Sequence, residues 1–196
     1  MKRSVFVLAA SLIVFTFNHI FAQSFAIDKG SKLIAGSFSI RSAGGDLYGS
    51  SKDGRSTSIM LYGDFGYFVS KGINVGAKVL FNRYSHGNLK STGWGIGPSF
   101  SYYFGDEKSA LYPYLSVSFF YNKTTVSYEN DIAGGNYEDS QDGSLTHFAG
   151  GVCYMLSNAV GMFSEVNYEI ENLNFNNTSL SGNSINLMVG IKAFLF

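Results

Sequence analysis

The sequence predicts an all-β protein, an eight-stranded antiparallel up-and-down transmembrane β-barrel. Three observations carry that prediction. Large apolar residues alternate with Gly, Ser or polar residues over stretches of about 10 to 13 residues, the length at which a tilted strand crosses a bilayer. After Gln23 no window combines helical spacing with caps, and no run of eighteen apolar residues occurs, so helical spans are excluded. The connections between alternating stretches switch between short and long, as they do at the two ends of a membrane barrel with an even strand number.

Composition agrees. The 196 residues hold 14 basic and 14 acidic side chains, and the charged fraction of 14% falls well below the roughly 25% of soluble domains. With 45% hydrophobic and 16% aromatic residues the chain is neither disordered nor a nucleic-acid binder. A single cysteine, Cys153, excludes an internal disulfide framework and a cysteine-based zinc site.

The first 22 residues are read as a signal peptide. Lys2 and Arg3 precede an apolar run from Val5 to Phe17, and Ile20-Phe21-Ala22 closes the segment ahead of Gln23. The run is about 13 residues, whereas a spanning helix needs about 20. Cleavage leaves a barrel domain of residues 23–196, and losing Lys2 and Arg3 leaves 12 basic against 14 acidic side chains.

Strands are predicted around 32–42, 57–69, 72–84, 92–104, 111–123, 145–156, 160–170 and 184–196. In the first, Ile34, Phe38 and Ile40 alternate with Ala35, Ser37, Ser39 and Arg41. In the second, Ile59, Leu61, Phe65, Tyr67 and Val69 alternate with Ser58, Tyr62, Asp64 and Gly66. Val75, Val79 and Phe81 then oppose Asn74, Gly76 and Lys78, and Trp94, Ile96, Phe100 and Tyr102 oppose a run of Gly and Ser. Leu115, Val117, Phe119 and Tyr121 oppose Tyr114, Ser116 and Ser118, and Phe148, Val152 and Tyr154 oppose His147, Ala149, Gly151 and Cys153. In the seventh, Met162, Val166, Tyr168 and Ile170 oppose Gly161, Glu165, Asn167 and Glu169. Residues 70–72, 105–110 and 157–159 are the short turns, and 43–56, 85–91, 124–143 and 171–183 the long loops.

The cost of charge assigns the faces. Eight strands enclose a space just wide enough to be filled by side chains, so small and polar residues belong inside. The polar face carries Arg41, Asp64, Lys78, Glu165 and Glu169, and a basic residue among them would cost about 2–4 kcal/mol if turned to mid-membrane lipid, the acids less. These five are predicted to form an interior polar network. Arg83 has outward parity, but at the loop end of its strand, where lipid phosphate lies. The opposite assignment is a secreted lipocalin-like soluble barrel around a small apolar ligand; it requires a charged outer face, and the polar face here is mostly Gly, Ser and Asn.

Signal segment, eight alternating stretches, alternating connection lengths and the ending Phe194-Leu195-Phe196 together resemble the small outer-membrane β-barrel family of the OmpX and OmpA transmembrane-domain types. The resemblance covers the whole mature chain and is architectural, with no catalytic signature. It implies a Gram-negative outer membrane, contact with its lipid and lipopolysaccharide, and an assembly signal at Phe194 and Phe196 read by the barrel-insertion machinery. It implies no enzyme activity and no cofactor, with a structural or surface-adhesion role carried by extracellular loops that meet a surface partner. One departure stands out: Ile185, Leu187, Val189 and Ile191 have the opposite parity from Phe194 and Phe196. Either a bulge near Lys192 switches faces or the outward assignment fails there. Pro98, which cannot donate to a ladder, predicts a second bulge, and Pro113 lies near a turn where the loss is modest.

Chemical motifs are sparse. Gly93-Trp94-Gly95-Ile96-Gly97 lacks the last glycine of a dinucleotide loop, since Phe100 stands there and no helix follows. His86 beside Ser85 is the one starting point for a lipid-modifying outer-membrane enzyme, without a carboxylate at fixed spacing. His147 and Cys153 share a face but lie roughly 20 Å apart along a strand, too far to share a metal. Glu129, Asp131, Glu138, Asp139 and Asp142 make the longest loop acidic without the spacing of a calcium loop, and Tyr128, Asn130, Asn136 and Tyr137 give it amphipathic contact area. Inward Tyr62 and Phe120 argue against an open channel.

Overall fold

The computed structural model describes residues 26–44, 56–86, 89–106, 109–130, 135–175 and 178–196. Eight strands follow in chain order: β1 (Lys32–Gly44), β2 (Ser56–Ser70), β3 (Ile73–His86), β4 (Leu89–Tyr103), β5 (Leu111–Asn130), β6 (Gly135–Met155), β7 (Val160–Phe175) and β8 (Thr178–Leu195). Each pairs antiparallel with its neighbour and β8 returns to β1, so the sheet closes into a barrel. The register fixes its shape. Starting at Lys32 and stepping through Tyr67, Val75, Phe100, Val117, Phe148, Tyr168 and Ile185, the path returns to β1 at Ser42, ten residues on. Such a stagger over eight strands means a tilt of roughly 40°, so each residue advances about 2.5 Å along the axis.

Side chains alternate about the wall as the pattern requires. Ile59 is 63% and Leu115 58% exposed, while Met60 and Phe120 are buried. The outer surface is a continuous apolar band, far larger than the patches soluble monomers tolerate, and the closed ladder leaves no backbone edge within it. A barrel with its apolar residues inside, the lipocalin-like arrangement, is therefore excluded. Aromatic residues gather at both rims, Tyr67, Tyr102, Phe104 and Tyr154 on the turn side and Phe81, Trp94 and Tyr121 on the other. On β4 the two girdles lie eight residues apart, about 20 Å along the axis.

Several local expectations need correction. β8 has no face switch: Lys192 and Phe194 are buried inside, while Ile185, Leu187, Ile191 and Leu195 face out, and the register to β1 and β7 runs through without a shift. Without a bulge Phe194 belongs to the inward series, and it does so because the barrel's turn end is closed by aromatic rings, of which Phe194 is one. Pro98 makes no bulge either. Its register with Ala77 is unbroken, and towards β5 the ladder skips Gly97 and Pro98 and resumes at Ser99↔Ser118 in step. A missing donor interrupts the ladder over those two residues without shifting it, which is less disruptive than an inserted residue. Pro113 turns its carbonyl to Phe104 N, at 2.8 Å, so its lost donor faces the end of β4. The register shift that does occur lies between Phe68 and Ser70, at a turn.

The long connections are shorter than predicted. β3 reaches His86 and β4 starts at Leu89, β7 and β8 approach to Phe175 and Thr178, and β5 and β6 run on to Asn130 and Gly135. Outside the membrane both faces of a strand are wet, so the apolar alternation that marks a strand vanishes while the hydrogen-bonded ladder continues.

The interior is layered. At the turn end Phe68 packs on Tyr103 and Phe194, at 5.5 and 6.2 Å between centroids, with Leu33 and Tyr112 in the same buried cluster. The segment ahead of β1 tucks beneath them: Ile27 is buried, its carbonyl accepts from Gly72 N at 2.8 Å, and Gly30 N donates to Phe68 O at 2.9 Å. Polar residues fill the middle. One inward step further out, Met60, Leu80, Phe120 and Leu145 form an apolar collar above Tyr62, Lys78, Ser118 and His147.

Candidate functional site

Between those apolar layers lies a buried polar network. Asp64 and Lys78 are cross-strand partners on β2 and β3, their charged atoms 3.9 Å apart, and Ser99 Oγ donates to Asp64 at 3.5 Å. Glu165 and Glu169 sit four residues apart on β7, hence on the same face, and His147 on β6 stands opposite Glu169. The imidazole bridges them: Nδ1 lies 3.4 Å from Glu169, Nε2 lies 3.7 Å from Glu165 and 3.0 Å from Asn167 Oδ1. Tyr62 donates to Glu169 at 2.7 Å, Ser184 to its other oxygen at 3.1 Å, and Tyr114 to Glu165 at 2.5 Å. Gly151 makes that last contact possible, because a Cβ there would stand 2.6 Å from Glu165 Cβ and 2.9 Å from the Tyr114 ring.

Lys192 reaches into the same space from β8. Its ammonium donates to Tyr103 Oη at 2.8 Å and lies 3.5 Å from the Tyr114 ring centroid and 4.4 Å from that of Phe163. A buried ammonium is costly unless its charge is answered, and here aromatic faces supply part of the answer. Farther out, Asn122 donates to Glu171 at 2.9 Å.

Of the five residues predicted to share the interior, the structure brings Asp64 to Lys78 and joins Glu165 to Glu169 through His147. Arg41 lies in β1, and its side chain is outside the described residues. Three members were missed. His147 was recognised as inward but not as the bridge, Lys192 was obscured by the parity problem, and Glu171 was placed in a loop. Parity was the usable signal for Lys192, since Asn186, Met188, Gly190 and Lys192 form one unbroken inward series.

What this interior can do is limited by how fully it is filled. Among the described residues no group of His, Cys, Asp and Glu is arranged to hold a metal ion. Ser39, Ser118 and Asn186, level with His147, have buried polar atoms without a protein partner, the kind of group that buried water satisfies. The apolar collar is one-sided: Glu171 is the cross-strand partner of Leu145, so buried polar groups continue outward along β7 and across to Asn122. Ser85 and His86 end β3, with side chains outside the described residues, as are those of Tyr128, Glu129, Asn130, Asn136, Tyr137 and Glu138; Asp131 is outside them entirely. Asp142 faces outward and accepts from Tyr121 Oη at 2.7 Å. Phe196 follows β8 and is exposed.

A second feature lies beyond the outer girdle. β5 and β6 have 20 and 21 residues and pair with each other up to Asn130↔Gly135. β6 meets β7 only from Asp142↔Asn174, and β4 meets β5 only up to Leu89↔Tyr128. Among the described residues, the backbone of β6 from Gly135 to Gln141 therefore has a partner strand on one side only. The hairpin carries this edge outward, Asn130 lying nine residues past Tyr121 or roughly 20 Å along the axis.

No protein-family model matches the chain, and no curated protein is similar to it in sequence. Solved structures do match. Neisserial surface protein A aligns over 84% of this chain and 99% of its own, with a TM-score of 0.62 and 19% identity. The fold is that of the small eight-stranded outer-membrane barrels. The outer membrane protein OprG from Pseudomonas aeruginosa covers 88% of this chain and 99% of its own at a TM-score of 0.52 and 15% identity. Ail, the attachment invasion locus protein of Yersinia pestis, covers 85% and 99% at 0.50 and 11%. At such identities the likeness is one of architecture.

Proposed function

We propose that the mature chain, from Gln23 after loss of residues 1–22, is a non-enzymatic barrel of a Gram-negative outer membrane whose β5–β6 hairpin attaches to a partner at the cell surface. The observation that carries this reading is the one-sided stretch Gly135–Gln141, a row of backbone donors and acceptors presented beyond the membrane band. An extended segment of another protein can add to such an edge by main-chain hydrogen bonds. The interior, packed with side chains and closed at the turn end by aromatic rings, supports a structural and adhesive role over conduction. Lipid and lipopolysaccharide surround the barrel in this reading, and the terminal Phe196, exposed at the turn end, is the part of the Phe194/Phe196 pair available to the insertion machinery.

The test is deletion of residues 128–140. Folding is read by gel mobility with and without boiling before SDS electrophoresis, since a closed membrane barrel resists SDS until heated. The deletion should keep the heat-dependent shift and abolish attachment of expressing cells to host-cell or matrix surfaces. Attachment that survives the deletion refutes the hairpin's role, and loss of the shift refutes its independence from the barrel.

A further inference from the structure

On the described outward face no charged residue occurs between the two aromatic girdles; past the outer girdle come Arg83 on β3, Lys123 on β5 and Asp142 on β6. Two neighbouring rungs place them. Arg83 pairs with Thr92, which pairs with Thr125; Phe81 pairs with Trp94, which pairs with Lys123. Arg83 and Lys123 thus flank β4 from either side, two strand spacings or about 10 Å apart across the sheet. Thr92 on β4 stands between them, whereas the Thr125 hydroxyl on β5 pairs with Ser140 Oγ at 3.1 Å. Directly below, Phe81, Trp94 and Tyr121 form an apolar floor, with Trp94 edge-on to Tyr121 at 6.3 Å.

Arg83 is exposed and Lys123 half-buried. No described carboxylate forms an ion pair with either. Asp142 is the cross-strand neighbour of Lys123, but its carboxylate takes the Tyr121 hydroxyl. Two long cationic side chains, the Thr92 hydroxyl between them and an aromatic floor at the edge of the apolar band match a phosphorylated lipid whose chains run down the barrel wall. Arg suits a phosphate through paired donors and Lys as a point charge.

We propose that Arg83 and Lys123, with Thr92 between them, bind the phosphate group of an outer-leaflet lipid of the lipid A type. The proposal rests on the outer-membrane reading above and adds a site to it. Hydrocarbon contact alone holds the surrounding lipid; this sector holds one headgroup by charge.

The protein is folded into phosphatidylcholine nanodiscs containing a fixed fraction of either bisphosphorylated or dephosphorylated lipid A, and the lipid A retained is measured by native mass spectrometry. Arg83→Gln and Lys123→Gln should each lower retention about fivefold, and together about 25-fold, the loss of one favourable contact per cation near a charged surface. Dephosphorylated lipid A should be retained by the wild-type protein as poorly as phosphorylated lipid by the double variant. Asp142→Asn should raise retention. Equal retention of the two lipids by wild-type protein overturns the proposal without requiring any variant to fold, and so does displacement by millimolar inorganic phosphate, which would mark a free-anion site. The heat-dependent gel shift is read on the same samples; its absence from wild-type protein refutes the membrane barrel, whereas its presence with no phosphate preference refutes only this site.

Discussion

Glu169 is the most heavily engaged of the buried carboxylates, and removing its charge tests the interior network directly. In Glu169→Gln one oxygen becomes an amide nitrogen, yet Tyr62 and His147 both approach Oε1 and Ser184 approaches Oε2. With the nitrogen at the Oε1 position it faces Tyr62 and His147; turned the other way it faces the Ser184 hydroxyl, which must rotate to accept, and in both orientations the charged acceptor is gone. A hydrogen bond to a charged acceptor contributes about 1.5–3 kcal/mol, and a buried donor left unpaired costs about 1–3 kcal/mol, so the substitution should destabilise the barrel by about 3 kcal/mol. Tyr62→Phe removes one partner while keeping the ring against Phe120 and His147, at 6.5 and 6.0 Å, and should cost about 1.5–3 kcal/mol. In the double variant the two effects should fall short of additivity by about 1.5–2 kcal/mol, the signature of a shared contact. Urea unfolding from lipid vesicles, followed by fluorescence of Trp94, the only tryptophan, reports all three variants; it lies on the outer wall and moves from lipid to water on unfolding. Additivity within about 0.5 kcal/mol would refute the assignment of Tyr62 as the donor to Glu169.

Further outcomes follow from the wall and the outer rim. Gly97→Val should lower the fraction of heat-shifting barrel sharply, because a side chain at Gly97 would collide with the Phe119 carbonyl, whereas Gly36→Ala enters open space on the outward face and should leave that fraction unchanged on the same gel. Leu61→Arg places a cation on the lipid face and should cost about 2–4 kcal/mol in vesicle unfolding; an unaffected midpoint would put that face in water. Cys153 is wholly buried, so maleimide should label it only after boiling in SDS, and rapid labelling of the folded barrel would mean the turn end is open. His86→Ala should leave the lipid A composition of an expressing host the same as that with wild-type protein, and a change in lipid A caused by wild-type protein and lost in the variant would assign an enzyme.

Much of the barrel was readable because lipid imposes a strict rule. A residue in the band faces either hydrocarbon or the packed interior, so Ile59, Leu61 and Phe65 had to stand out against Met60, Tyr62 and Asp64, and the strand number, order and antiparallel sense followed from the period and the connections. The rule lapses where the environment changes. Beyond the outer girdle, Thr124–Asn130 and Gly135–Ser144 carry no apolar alternation, so a ladder in β5 and β6 read as a loop. At the turn end the interior turns aromatic, so the parity of Phe194 against Ile185–Ile191 left the faces of β8 open in the sequence, although Phe194 shares its parity with Lys192. Pro98 pointed to a bulge because its missing donor was visible in the sequence, while the local skip in the ladder that accommodates it was not.

The sequence by itself determined that this chain closes a barrel and which way nearly every side chain faces, because period-two patterning between lipid and a narrow interior allows no other arrangement. It did not determine which inward residues meet. Tyr62 and Glu169 are 107 positions apart, and Lys192 and Tyr103 are 89 apart. Those meetings depend on the stagger of ten residues around the wall, which sets the relative height of every strand. A different stagger would keep each residue inside and give it different partners. The pairing of buried charges, the caging of Lys192 and the one-sided edge of β6 therefore belong to the tertiary structure, where closure of the sheet decides relations that no single strand contains.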